Sequence, residues 1–391
     1  MRDKFLGSTL FLSALAITSS LFAISEDSEQ EIGAAPMASC QVAPEPIRNT
    51  PCCLRPCRDV TPSARGCEGI NGIFATASFL WWTAHEDDFT IAFAQTADFP
   101  SQAFPFTTFL PGNQGKIIRM NFNWDPGFRV GLGWNTPYDG WDVYLNWTWY
   151  QNHKGENHEV ETTPNQTGII STWLFIVPFN VAQAKCNYRM LLNMGDLEIG
   201  RDFYLSESLT LRPFFGPEGG WIERDLRISI SDQNPALSAT LRNVTPGTYH
   251  ARTNYWGLGP RMGINGNMRF CRGFKFFGNL STALLYGKVF KNQQTSSQLL
   301  QNATLLTSNV TDTNNFWKVV PHLQMNLGLG WGDCICVCGN RMFVGLNLGW
   351  EVNYYMNLPH FVYPSGFSEE IAPNSENIST AGLTLDFKVD F

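Results

Sequence analysis

The chain has 391 residues, a formal net charge of −7 and only 16% charged residues, so no nucleic-acid-binding surface is indicated. It is long enough for two soluble domains or one large barrel, and 14% of it is aromatic. Modest overall hydropathy does not exclude a membrane location, because only every second residue of a spanning strand faces lipid.

The N-terminus reads as an export signal. Arg2 and Lys4 precede an apolar, Ser/Thr-containing stretch over 5–24, and Ala23-Ile24-Ser25 fits a small-residue cleavage site. Residues 1–25 are therefore expected to be a signal peptide, with an uncleaved anchor as the alternative. No cysteine follows the site closely, which argues against a lipoprotein. No later run of eighteen apolar residues suggests a spanning helix. Residues 26–71 form a Cys- and Pro-rich segment, expected in the periplasm.

From residue 72 the chain alternates with period two, the signature of strands with two unlike faces. In 72–84, Ile73, Ala75, Ala77, Phe79 and Trp81 share one face. In 116–134 the even positions Ile118 to Trp134 are apolar and the odd ones include Arg119 and Arg129. Parity survives Asp125-Pro126-Gly127, so one long strand with a local distortion is expected. Residues 141–150 set Trp141, Val143, Leu145, Trp147 and Trp149 against Asp142, Asn146 and Thr148. Residues 184–203 change parity near Gly195-Asp196, which suggests a bulge. Further strands are expected at 209–221, 253–264, 273–288, 316–331 and 342–356. The last spans 379–391, where Leu383, Leu385, Phe387, Val389 and Phe391 alternate with polar residues up to the end of the sequence.

Short connections (135–140, 204–208, 265–272, 332–341) alternate with long ones (85–115, 151–183, 222–252, 289–315, 357–378). Outer-membrane barrels alternate short periplasmic turns and long external loops in this way. The expected fold is all-β, a transmembrane antiparallel barrel over 72–391. Ten core strands are counted, and 168–181, 226–231 and 237–244 are further candidates that would raise the number to twelve to sixteen. The apolar, aromatic C-terminus resembles the sorting signal read by the barrel-assembly machinery.

Family resemblance rests on several strands. Asp125-Pro126-Gly127-Phe128-Arg129-Val130-Gly131-Leu132-Gly133-Trp134 with Tyr138-Asp139-Gly140-Trp141-Asp142 resembles the major outer membrane protein family of Legionella and of Chlamydia-like bacteria. So do Asp196-Leu197-Glu198-Ile199-Gly200-Arg201, Leu211-Arg212-Pro213-Phe214-Phe215-Gly216 and Tyr255-Trp256-Gly257-Leu258-Gly259-Pro260-Arg261-Met262-Gly263. The resemblance runs from about residue 72 to the C-terminus and implies an outer-membrane porin, often trimeric. The N-terminal segment and the cysteines depart from the Legionella pattern.

Cys40, Cys52, Cys53, Cys57 and Cys67 crowd the segment before the first strand, and Cys271, Cys334, Cys336 and Cys338 are expected in short periplasmic turns. All nine are disulfide candidates in an oxidising compartment; Cys186 lies near the outer end of its strand. Cysteines two apart in a turn are poorly placed to pair with each other. Intermolecular cross-links to other cysteine-rich envelope proteins, as in chlamydial envelopes, intramolecular bridges and a zinc site all stay open. No metal site or cofactor is assigned.

Arg119, Arg129, Arg261, Lys318, His322, Glu351, Asp386 and Lys388 are expected to face the lumen, where charges bias which ions pass. The alternative for each is a cross-strand salt bridge inside a small, filled barrel, since strand number controls diameter. The apolar segment 104–110 is a candidate for folding inward. No Gly-x-Ser-x-Gly elbow is present, and the histidines show no metal-ligand spacing, so no enzyme is expected. The expected function is passive diffusion of small solutes, compatible with a structural envelope role. A mainly structural cross-linked protein and a surface adhesin using the long loops are the alternatives. Expected partners are outer-membrane lipid, the assembly machinery, a homotrimer and cysteine-rich envelope proteins.

Overall fold

A computed structural model describes the chain between residues 72 and 391. It leaves out 1–71, the segments 96–114, 160–168, 172–182, 232–246, 300–304, 313–315 and 362–374, and the single residues 88, 138, 207, 272, 338, 339 and 360. The expected signal peptide, the segment 26–71 with its five cysteines, Cys338, the strand candidate 237–244 and the inward-folding candidate 104–110 lie outside the described residues.

Strand β1 (Ile73–Glu86) is followed by two short strands, β2 (Thr90–Gln95) and β3 (Gly115–Arg119). Then come β4 (Trp124–Asn135), β5 (Trp141–Glu159), β6 (Ile169–Ser171), β7 (Gln183–Arg201) and the two-residue β8 (Phe203–Tyr204). The longest follow: β9 (Leu209–Ser231), β10 (Gly247–Cys271) and β11 (Phe274–Leu299). β12 (Leu305–Asp312), β13 (Phe316–Val337), β14 (Asn340–Pro359) and β15 (Ser375–Asp390) complete the order. Ten of these close into an antiparallel barrel, in the order β1-β4-β5-β7-β9-β10-β11-β13-β14-β15 and back to β1. The closing seam pairs Ala75 with Val389 through Trp81 with Leu383, so the alternating C-terminal strand joins the ring. β12 extends β11, and β2, β3 and β6 form a separate small sheet.

Outside, the expected faces are exposed: Phe79, Trp81, Leu132, Leu145, Phe276, Leu327, Leu348 and Leu385 are all open on the outer wall. In water this apolar band would be unstable; in a bilayer it is the lipid-facing surface. Trp141 and Trp149 on β5 bracket about 20 Å of tilted strand, near the height of such a band. Aromatic pairs mark its extracellular rim, with Trp124–Trp350 centroids 5.8 Å apart, Trp256–Trp317 5.8 Å and Tyr286–Trp317 5.0 Å.

Four expectations about elements are corrected. The stretch 116–134 is two strands in different sheets: β3 pairs β2, and β4 pairs β1. Ile118, Met120 and Phe122 are buried in the protein interior, not turned to lipid. β7 has no bulge at Gly195-Asp196, since its pairing with β5 runs unbroken from Gln183 to Arg201. Its parity change is a change of environment. Ala184, Cys186, Tyr188, Met190, Leu192 and Met194 point inward and are buried, while Lys185 and Arg189 point outward and are exposed. Above the membrane the outer face meets water, so the polar pattern inverts. Finally, Cys271, Cys334 and Cys336 lie on strands, because the β10–β11 and β13–β14 hairpins run nearly to their tips. Gly273 turns the first of these at φ 82°, a left-handed conformation that glycine adopts without steric cost.

Leu145 sits at mid-height on β5 with 56% exposure. Leu145→Arg is expected to destabilise the barrel by about 2–4 kcal/mol, the cost of a basic residue at the bilayer midplane. Equilibrium folding into lipid vesicles measures it; an unchanged stability would show that this face does not meet lipid.

Candidate functional site: the charged lumen

Inward-facing residues of the barrel divide into three zones. The middle zone is a belt of charged and polar groups. Arg129 on β4 meets Glu351 on β14 in a two-pronged ion pair, at 2.6 and 3.2 Å. Its Nε donates to Thr148 Oγ1 on β5 at 2.8 Å. Glu351, whose side chain has no exposure, also accepts from Gln324 Nε2 at 2.6 Å and Thr384 Oγ1 at 2.9 Å. Gln324 connects this centre to the next: its Oε1 accepts from Arg261 Nη2 at 2.7 Å and from Ser281 Oγ at 3.3 Å.

Arg261 on β10 forms the second centre. Its Nη1 lies 2.8 Å from Asp196 Oδ2 on β7 and 3.2 Å from Glu218 Oε2 on β9. His322 Nδ1 lies 2.6 Å from Glu218 Oε1, and its ring stacks on Tyr355 with centroids 4.2 Å apart. Below, Arg212 binds Asp142 at 2.5 and 2.9 Å and Glu198 at 2.8 Å. Trp82 Nε1 donates to Thr384 Oγ1 at 3.1 Å, which brings in β1. Every one of the ten wall strands thus contributes a side chain to one connected network. Several links span non-adjacent strands, as Arg129–Glu351 does across β1 and β15.

Toward the periplasmic end the lumen opens into a cavity of about 350 Å³. Thr76, Tyr144, Asn265, Lys275, Asp386 and Lys388 are among its lining residues. Lys388 Nζ lies 4.1 Å from the Phe74 ring centroid and 3.2 Å from Asp390.

The extracellular zone is mainly apolar. Leu80, Trp82, Tyr150, Tyr188, Met190, Leu192, Tyr255, Leu285, Val320 and Tyr355 pack there as one buried cluster. Residues outside the wall strands join it: Phe89, Phe122 and Phe361 pack edge-on around Tyr188 with centroids 5.5, 5.1 and 6.4 Å away. A further buried ion pair, Arg224–Glu86, sits in this zone with Arg224 also donating to the Pro359 carbonyl and lying 4.9 Å from the Phe361 ring centroid.

The structure distributes the residues expected to line a pore as follows. Arg129, Arg261, His322 and Glu351 come together in the belt, each bound to a partner of opposite or potentially opposite charge. Asp386 and Lys388 line the periplasmic cavity. Lys318 lies near the extracellular rim, where its Nζ donates to Ser375 Oγ at 2.5 Å. Arg119 is the exception: it is exposed, lies on β3 and pairs with Thr90, away from the barrel wall. Sequence reasoning missed Asp142, Asp196, Glu198, Arg212 and Glu218 as belt members. Inward parity on β5, β7 and β9 was the signal that could have found them. Among the described cysteines, Cys334 is disulfide-bonded and Cys186 is free and buried. No helix is long and apolar enough to cross a membrane, which does not bear on a barrel.

Removing one member of the belt leaves its buried partner unpaired, a loss of about 3–5 kcal/mol for a buried pair. Glu351→Ala is expected to fall in that range. Glu218→Gln keeps a hydrogen-bond acceptor, leaves Asp196 on Arg261 and is expected to cost roughly 1–3 kcal/mol. Urea midpoints in detergent micelles would rank the two; equal, negligible losses would show that the belt is not coupled.

Among solved structures, the chain is similar to the outer membrane protease OmpT of Escherichia coli. The two are 11% identical, the match covers 83% of this chain and 98% of that one, and the TM-score is 0.35. A major outer membrane protein of Thermus thermophilus matches at 11% identity, over 66% of this chain and 97% of that one, with a TM-score of 0.24. The toluene transporter TodX of P. putida matches at 10% identity, over 82% and 89%, with a TM-score of 0.29. Likenesses this distant carry no argument about activity. No curated protein matches the chain. The model of the Legionella pneumophila major outer membrane protein precursor, however, matches residues 71–391, and the chain belongs to that family of bacterial outer-membrane proteins.

Proposed function

We propose that the protein is a narrow, gated diffusion channel for small solutes and ions, and that the structure is its closed state. The observation that supports this is the charged belt. A barrel that only had to anchor itself would be at least as stable with an apolar interior, since buried ion pairs are often replaceable by well-packed apolar residues at no cost. A lumen that must hydrate when open needs polar walls, and this one has them from the belt down to the periplasmic cavity. The barrier is the apolar zone above. It is completed by Phe89, Phe122 and Phe361, which lie between strands, so they can move without breaking the wall's hydrogen bonds. Nothing in the reading requires catalysis, and His322 serves it as a brace on Glu218.

A second reading is favoured by the completeness of the apolar zone and by the oxidised Cys334. In it the barrel conducts nothing and anchors a periplasmic segment that is stapled or cross-linked by disulfides. Homotrimer formation, recognition of the C-terminal strand by the assembly machinery and bridges to other cysteine-rich envelope proteins belong to the proposal as well.

Planar-bilayer recording of the refolded protein separates the two readings. The channel reading expects rare, discrete, salt-dependent openings, with open probability rising at least severalfold in Phe89→Ala/Phe122→Ala/Phe361→Ala. Silence in both proteins, with folded barrels confirmed by their gel mobility before and after heating, would remove the channel and leave the structural role.

A further inference from the structure

The outer wall carries a feature that neither the lumen nor the channel reading uses. Along one row of the sheet, Trp149, Asn193, Trp221, Trp256, Lys288 and Trp317 are register partners on successive strands. This row belongs to the extracellular aromatic rim. Four residues further out on each strand, His153, Arg189, Asp225 and Arg252 form a second row of register partners. At about 3.3 Å per residue and a tilt near 40°, the second row stands roughly 10 Å above the first. That is headgroup height.

The outer wall from this second row outward is basic. Arg189 and Lys185 are exposed on β7, and Arg227 on β9 has 61% side-chain exposure. Arg252 and His250 on β10 are 41% and 40% exposed. Asp225 organises them. Its Oδ2 accepts from Arg252 Nε and Nη2 at 3.1 and 2.9 Å and lies 3.0 Å from His250 Nε2, while Oδ1 accepts from Arg227 Nε at 3.1 Å. Counting Lys185, Arg189, Arg227 and Arg252 against Asp225 and the exposed Glu223 gives four positive and two negative charges, a net of +2. The whole chain carries −7. A positive patch on an acidic protein, centred on the wall of β7, β9 and β10 just above the aromatic rim, faces the polar edge of the outer leaflet. A single carboxylate holds two guanidiniums in place while both side chains stay solvent-accessible, so N–H groups not bound to Asp225 are available to phosphate oxygens.

We infer that the β7–β9–β10 wall is a binding site for the phosphate groups of outer-leaflet glycolipid, with Arg189, Arg227 and Arg252 as the phosphate ligands. Asp225 positions Arg227 and Arg252 and does not touch the lipid.

The test uses the refolded protein in zwitterionic detergent, titrated with bisphosphorylated lipid A and with its dephosphorylated form. The protein is expected to bind the phosphorylated form more tightly. Each removed cation should weaken binding roughly fivefold, so Arg189→Gln/Arg227→Gln/Arg252→Gln should lose about 100-fold. Removing two cations at the opposite end, in Arg201→Gln/Arg269→Gln, should change little. Equal binding of both lipid forms to the unmodified protein would overturn the inference without any variant, as would a triple variant that folds and binds normally. Saturable binding of inorganic phosphate, with the lipid no tighter, would assign the patch to free anions and overturn the lipid site.

Discussion

A closed ring of ten strands is narrow enough for side chains on opposite walls to reach one another across the lumen, and that constraint shapes the rest of the molecule. Outside the periplasmic cavity, most inward side chains are packed or paired. The chain meets the demand in two ways along the same axis. Near the middle it uses ion pairs that reach across the ring, and above them it uses aromatic and aliphatic packing. Arg129, Gln324 and Arg261 form the hinge of the polar solution, since each binds partners from at least two other strands. The belt therefore braces the barrel's cross-section, which the hydrogen bonds between neighbouring strands alone would leave free to flatten.

The same constraint links fold to function. Charged groups taken from water are tolerable here because each finds several partners, and a water-filled state would solvate them without loss. The apolar zone behaves in the opposite way, since its packing is favourable only while water is excluded. A boundary between such zones inside one lumen is a natural place for a gate. The residues that close it from outside the wall, Phe89, Phe122 and Phe361, have no part in the ladder that holds the barrel together.

Much of the wall was legible in the sequence because lipid is a uniform solvent. Trp141, Val143, Leu145 and Trp147 announce a strand, and Asp142 and Asn146 announce its other face, with no knowledge of the neighbours. The alternation of short and long connections then orders the strands. Legibility ends where the solvent changes. On β7, Lys185, Asn187 and Arg189 face outward and Cys186, Tyr188 and Met190 inward, the reverse of the membrane pattern, which imitates a bulge in the sequence. Met120 and Phe122 continue the parity of β4 yet belong to the interior, because parity cannot show that a chain has left the sheet. In the belt, inward position was readable for Arg129 and Glu351, but not their meeting, which depends on the ring's closure across two intervening strands.

Chemical reactivity of Cys186 tests the closed lumen most directly. This thiol is native, free and fully buried within the apolar zone. In the folded barrel a small, charged thiol reagent should leave Cys186 unmodified over hours, as read by peptide mass spectrometry, and should label it rapidly after denaturation. Rapid labelling of the folded protein would place water around Cys186 and contradict an apolar closure of the extracellular half.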